Sequence, residues 1–150
     1  AGRRIRCREY GHRRRDDWAI GEPHLVRMDY EASGGREIFL SVEDDQETLF
    51  GLLRLRIQSA PVPAIPPTGK NRAIIRELHV YGTEVPLRRQ DDQAAQHRGL
   101  GKALLREAER IASEEFQTPQ MIVLSGVGAR EYYRSEFGYR RAGNYMVRAL

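Results

Sequence analysis

The sequence predicts an α/β fold with a mixed, mostly antiparallel central sheet and flanking helices. Three observations predict it. Residues 25–57 hold three strand-like segments joined by turn-rich or polar connections. Residues 73–126 then run from a strand through an amphipathic helix to a short apolar strand, the order of a crossover with parallel neighbours. A length of 150 residues suits one domain with one buried core, and therefore one site.

Each element follows from local pattern. "AGRRIRCREYGHRRR" is polar, glycine-punctuated and without periodicity, so residues 1–24 read as an extended or irregular basic arm ahead of a domain spanning 25–150. "LVRMDY" and "EIFLSVED" read as two strands of a hairpin across Glu31-Ala32-Ser33-Gly34-Gly35-Arg36. "TLFGLLRLRI" alternates Leu53, Leu55 and Ile57 against Arg54 and Arg56, a third antiparallel strand. Residues 58–72 hold Pro61, Pro63, Pro66 and Pro67 and form a loop, since proline cannot donate to a ladder. In "AIIRELHVYGTEV", strict alternation puts Ile75, Glu77, His79 and Tyr81 on one face, with Ile74, Arg76, Leu78 and Val80 on the other.

Leu100, Ala103, Leu104, Ala108 and Ile111 recur at helical spacing, with Arg106, Glu107, Glu109 and Arg110 mostly away from that stripe, so a helix opens at the glycines and runs to about Phe116. "QMIVLSG" reads as a buried strand, "AREYYRSEF" as a second helix, and "YRRAGNYMVRAL" as one strand or a hairpin broken near Gly143.

Charge is uneven. The first fifteen residues carry seven arginines and one glutamate, and the remainder is slightly acidic, so the formal +4 belongs to the arm. Only Lys70 and Lys102 among 25 basic residues are lysine; arginine's planar fork suits bidentate phosphate contacts. A single cysteine, Cys7, excludes an internal disulfide framework, and no apolar run approaches the ~20 residues of a membrane span. The expectation is a soluble, cytoplasmic protein without membrane contact. The start at Ala1, with no methionine or apolar leader, reads as a processed or excised piece.

The densest chemical signal is "QHRGLGKALL". Backbone N–H groups at a helix start lack partners and sit at the dipole's positive end, so several converge on one phosphate. Gly99 and Gly101 remove side chains from that approach, and Arg98 and Lys102 add positive charge. A P-loop needs a hydroxyl after the lysine, where Ala103 stands, and a dinucleotide fingerprint needs a third glycine, where Leu104 stands. The pair alone serves equally well to ease a tight turn into a helix.

Gln96-His97-Arg98-Gly99-Leu100-Gly101 resembles the Gln/Arg-x-x-Gly-x-Gly/Ala motif of the GCN5-related N-acetyltransferase superfamily. "DYEASGGREIFLSVED", "IIRELHVYGTEV", "SGVGAREYYRSEFGY" and "NYMVRAL" extend the likeness: nearly all of residues 25–150 resemble the C-terminal acetyltransferase domain of the catalytic subunit of Elongator and its single-protein archaeal and bacterial relatives. That resemblance implies acetyl-CoA, with its pyrophosphate at Gln96–Lys102 and its pantetheine arm along Leu78, His79 and Val80, where that strand splays from the next. It implies further acetyl-CoA contacts at Ser125, Gly126, Tyr132 and Tyr133. The activity implied is transfer RNA modification at the wobble uridine, a carboxymethyl-type product, with acetyl-CoA used or hydrolysed in a tRNA-dependent way.

The family also uses S-adenosylmethionine and an iron–sulfur cluster in a radical domain, neither expected here: that cluster needs three cysteines, and this chain has one. Gly2 and Arg4 fall where relatives carry the first cysteines of a zinc-associated run, so no metal is expected and Cys7 reads as a remnant of the junction to a missing radical domain. Other Elongator-like subunits are possible partners of the family type.

The candidate catalytic residues are Tyr132, Tyr133, Glu77 and His79. Adjacent helix positions point ~100° apart, so the two cannot share one role: one faces the thioester as hydrogen-bond donor or acid while the other packs or positions, the alternative being two aromatic core residues. A carboxylate beside an imidazole activates a water or amine. Arg3, Arg4, Arg6, Arg8, Arg13, Arg14 and Arg15, with Tyr10, His12 and Trp18, combine the charge and stacking groups that hold RNA, and tRNA contact is the reading the family favours over a solvated basic tail. Two rivals stand beside this: a protein lysine N-acetyltransferase, and a non-catalytic acyl-CoA- or tRNA-binding module.

Overall fold

A computed structural model describes residues 5–8, 22–81 and 90–150, with backbone alone at positions 6, 7 and 90–98. Seven strands form one sheet in the order β1-β2-β3-β4-β5-β7-β6. They are β1 His24–Ala32, β2 Gly35–Glu43, β3 Leu49–Gln58, β4 Arg72–Val80, β5 Gln120–Leu124, β6 Arg140–Ala142 and β7 Tyr145–Ala149. The helices are α1 Ile5–Arg8, α2 Gln90–Arg110, continued by one π turn at Ile111–Glu115, and α3 Arg130–Phe137. The first four strands form an antiparallel meander, and β4 joins β5 in parallel through α2, the predicted crossover.

One sheet face carries the core. Ile38, Leu40, Leu53, Leu55 and Ile75 pack under Leu104, Leu105 and Ala108 of α2 and Ile111 of its π turn, with Tyr133, Phe137 and Tyr139 closing the α3 end. Fully burying each such side chain contributes ~1.5–3 kcal/mol. The other face holds a smaller cluster, where Val62 and Ile65 of the proline loop cover Ile74, Ile122 and Val147.

Four details depart from the sequence reading. Residues 5–8 of the arm form a helical turn rather than an irregular tail. Helix α2 begins at Gln90, so Gly99 and Gly101 lie within a helix instead of opening one; Ala94 and Ala95 ahead of them are strong helix formers, and helix propagates readily once nucleated.

On α2, Ala103 is exposed, Leu105 joins the core, and Glu109 is buried. Tyr139 Oη donates to Glu109 Oε2 at 2.7 Å, Arg148 Nη1 to both carboxylate oxygens at 2.9 and 3.0 Å, and Arg106 Nη1 to Oε1 at 2.6 Å. Those partners make an interior acid tolerable.

In β4, alternation breaks. Leu55 pairs with Ile75 and Arg54 with Glu77, leaving Arg76 as an extra residue in a bulge. Ile75 and Leu78 consequently face the same core, and Ile75 does not share the face of Glu77 and His79.

Candidate active site

The site begins where β4 leaves β5. The two pair only at Ala73–Met121, Ile74–Ile122 and Ile75–Val123. Beyond the Arg76 bulge, Glu77 to Val80 pair with Arg54 to Gly51 on the β3 side, and among the described residues no strand pairs with their other edge. A bulge bends its strand and sharpens its twist, and β5 ends at Leu124, one residue past its last pairing with β4, so the edge of β4 from Glu77 to Val80 has no strand beside it among the described residues; this gap is the slot.

Two groups of side chains flank the slot from opposite faces. On the core face, a Cβ built on Gly101 would lie 3.3 Å from the Tyr132 hydroxyl oxygen and 3.5 Å from Val80 Cγ2. The glycine helix, the unpaired end of β4 and the tyrosine helix therefore meet at one point. Gly99 is exposed, and a Cβ there would meet nothing within 4 Å. Two glycines inside a helix each cost ~1 kcal/mol relative to alanine, and packing supplies no reason for Gly99.

The tyrosines divide as adjacent helical positions require. Tyr132 is 37% exposed, and its ring meets Tyr133 and Phe137 edge-on at 5.9 and 5.1 Å. Tyr133 is 7% exposed and lies within the core among Phe137 and Tyr139. Burial, with a smaller contribution from Tyr132, pushes the Tyr133 hydroxyl up to about 12. Ser125 and Gly126 follow β5 on the far wall of the slot, where Ser125 Oγ donates to the Gly126 carbonyl at 3.0 Å. Lys102 is exposed on α2.

On the outer face, Glu77 Oε2 accepts from Arg54 Nε at 2.5 Å and its Oε1 lies 3.2 Å from His79 Nε2. The His79 ring stacks near Tyr81, with centroids 6.3 Å apart, and the Arg54 guanidinium covers Phe39 at 4.9 Å. Glu77 thus orients an imidazole while Arg54 holds Glu77. Arg54 is absent from the sequence-derived set; its signal is its place opposite Glu77 on an alternating strand.

Gly51 is a second omission. A Cβ there would lie 3.1 Å from the His79 carbonyl and 3.2 Å from Leu104 Cδ1, so its bareness lets the end of β4 and α2 close onto β3.

Gln96, His97 and Arg98 lie on α2 by backbone, with side chains outside the described residues, as do Arg3, Arg4, Arg13, Arg14, Arg15 and the Arg6 side chain. Leu78 faces the core and Leu100 packs beside it. Arg8 does not extend into solvent: it pairs with Glu43 and its Nε donates to the Glu47 carbonyl at 3.0 Å. Among the described residues no three His, Cys, Asp or Glu side chains cluster to hold a metal, and no helix is long and apolar enough to cross a membrane.

Comparison with known proteins matches this arrangement. A tRNA uridine(34) acetyltransferase of Dehalococcoides mccartyi is 58% identical over 147 residues, covering 97% of this chain and 32% of that protein. Elongator complex protein 3 of Mus musculus is 48% identical over 153 residues, covering 99% and 27%. In a solved structure of the archaeal Methanocaldococcus infernus Elp3 with an N-terminal deletion, 35% of that chain superposes on 97% of this one with a TM-score of 0.81 and 44% identity. The chain therefore spans about a third of the length of these relatives. Residues 4–139 match the family described as "Acetyltransferase (GNAT) family", and with the slotted sheet, the glycine helix and this coverage, the chain belongs to that family.

Proposed function

We propose that this chain binds acetyl-CoA in the slot between β4 and β5 and, as the acetyltransferase part of a tRNA wobble-uridine modification enzyme, uses or hydrolyses it when tRNA is present. The observation that carries this reading is the meeting of Gly101, Val80 and the Tyr132 hydroxyl at the head of the slot.

An extended pantetheine arm has amide groups suited to the unused edge of β4, as a peptide strand would be. The bare Gly101 leaves room for the coenzyme beside Val80 and Tyr132, and the exposed Lys102 brings positive charge to the same helix; since α2 begins at Gln90, no free helix-start N–H groups are available at these glycines. Acetyl-CoA, when bound, supplies an activated thioester. Backbone N–H groups of the unpaired β4 edge polarise its carbonyl, and the Tyr132 hydroxyl donates a proton to the departing sulfur. Glu77 and His79 address the acceptor from the outer face, through the slot. In hydrolysis, a water oxygen held by His79 attacks the carbonyl carbon, its proton passes to the imidazole, and the C–S bond breaks to release acetate and CoA.

The relatives' names supply the tRNA uridine, and the arginine arm supplies charge for a phosphate backbone. The single cysteine does not fit an iron–sulfur cluster, and the chain covers about a third of the relative named as a tRNA uridine(34) acetyltransferase, so on this reading the chain by itself does not complete the modification. A cytoplasmic site of action follows from the same reading.

The test is release of free CoA from acetyl-CoA, with and without tRNA, for the wild type, Tyr132→Phe and Tyr133→Phe. A tRNA-stimulated rate that falls 10–100-fold in Tyr132→Phe and less than threefold in Tyr133→Phe is expected. Equal losses remove the proton-donor role from Tyr132. Efficient acetylation of a peptide lysine without tRNA replaces the reading with a protein acetyltransferase, and tight binding without turnover under any condition replaces it with a binding module.

A further inference from the structure

We infer that Arg8 is the anchor of the arginine arm, docked into a receptor site on the domain, rather than one of its phosphate contacts. The receptor is built for one guanidinium. Glu43 is nearly buried, and its Oε2 accepts from the fully buried Ser41 hydroxyl at 2.5 Å; its Oε1 pairs with Arg8. The Arg8 Nε donates at 3.0 Å to the carbonyl of Glu47, in the turn between β2 and β3. That turn is itself fixed: the buried Asp44 carboxylate accepts from the backbone N–H groups of Gln46 and Thr48 at 3.0 and 2.8 Å. The Arg8 side chain keeps only 18% of its exposure and Glu43 11%, a shielding that a solvated arm residue does not have.

The position of Glu43 gives the contact a purpose. His24, where β1 begins, lies opposite Glu43 in the strand register. Arg8 on one side and His24 on the other, the described residues that flank the intervening segment, are therefore both placed at Glu43. Chain connectivity alone limits Arg13, Arg14 and Arg15 to within about 25 Å of Arg8, at ~3.5 Å per residue. The sheet row next to Glu43 runs Val42, Gly51, Val80. At ~4.8 Å per strand, the anchor stands about 10 Å from the unpaired end of β4. Docking of Arg8 thus limits how far the arm's other cations can lie from the slot, which raises their effective concentration there.

This inference rests on the tRNA reading for its purpose, and on the Arg8–Glu43 contact for its structure, so two measurements on the 150-residue chain separate them. The first is affinity for an unmodified tRNA transcript as a function of salt. Removing a phosphate contact lowers the slope of log K against log salt by about 1, as expected for Arg14→Gln. Arg8→Gln and Glu43→Gln should each weaken binding about three- to tenfold with the slope retained, and the double variant should be no weaker than either single one.

Glu43→Gln is the decisive arm, because it removes a negative charge. If Arg8 touches RNA, Glu43→Gln leaves binding unchanged or tightens it, and that result overturns the anchor. The second measurement needs no RNA: both variants should speed tryptic cleavage after Arg13–Arg15 several-fold, and unchanged cleavage overturns the docked arm. A wild-type chain that binds no tRNA, with cleavage accelerated in both variants, overturns the RNA reading while the docking stands.

Discussion

Replacing Gly101 by alanine should raise stability and lower acetyl-CoA affinity in the same protein. In a helix interior, alanine is ~1 kcal/mol better than glycine. Against this, the new methyl would stand 3.3 Å from the Tyr132 hydroxyl oxygen, the far end of a side chain that must yield by a few tenths of an ångström, and at ordinary contact distance, 3.5 Å, from Val80 Cγ2. The net expectation is ~0.5–1 kcal/mol of added stability, or a rise of ~1–4 °C in Tm for a chain of this size. Gly99→Ala, whose methyl meets nothing within 4 Å, should stabilise by a similar or slightly larger amount. In calorimetric titration, however, Gly101→Ala should bind acetyl-CoA at least ~10-fold more weakly, a loss of ~1.4 kcal/mol, because its methyl occupies the point where α2, Val80 and Tyr132 converge. Wild-type affinity in a stabilised Gly101→Ala protein would refute the reasoning, since the glycine would then reserve no room for the cofactor.

Two further predictions concern what holds the sheet and helix around the slot. Glu109→Ala leaves the buried Tyr139 hydroxyl and two guanidinium groups without their shared acceptor, and should cost ~3 kcal/mol, seen as a Tm lower by roughly 6–12 °C; a loss under ~1 kcal/mol would mean that the network adds nothing. Arg27 joins Asp29 on β1 to Glu115 after α2, and its hydrogen bonds hold both carboxyls below their ordinary values of 3.8 and 4.5. Because the folded values are lowered, this stabilisation is complete above the ordinary values and is lost as pH falls through the lowered ones. Arg27→Met should cost ~1 kcal/mol at pH 7, a small figure because the groups are partly exposed, and the gap between the urea midpoints of the two proteins should narrow on going from pH 7 to a pH below both ordinary carboxyl values. The same gap at both pH values would assign the effect to packing.

Most of the sheet was legible because its signals are local. β1, β2 and β3 follow from alternation and the Ser33-Gly34 turn, and β5 from an apolar run between proline and glycine. Where the sequence misled, the cause was nonlocal. The Arg76 bulge depends on the pairing of β4 with β3, so strict alternation misplaced Ile75. Glu109 reads as a surface acid until Tyr139 and Arg148 approach it from residues 30 and 39 positions away. Glycine's usual place at helix boundaries suggested that α2 opens at the motif, whereas six or more residues of helix precede it. The tyrosine pair showed that one member must pack, but the burial of Tyr133 decided which. Arg8 looked like any other arginine of the arm, since nothing in its neighbours marks Glu43 as its partner.

The bulge at Arg76 also bears on how such a slot arises. Pairing is regular on both sides of it, from Ala73 to Ile75 and from Glu77 to Val80, and removing the one extra residue would leave both sets of partners in register. The departure of β4 from regular pairing with β3 is thus a single extra amino acid, placed where its parallel pairing with β5 stops. Deleting Arg76 would test this directly: it removes the extra residue while leaving every β3–β4 partner in register.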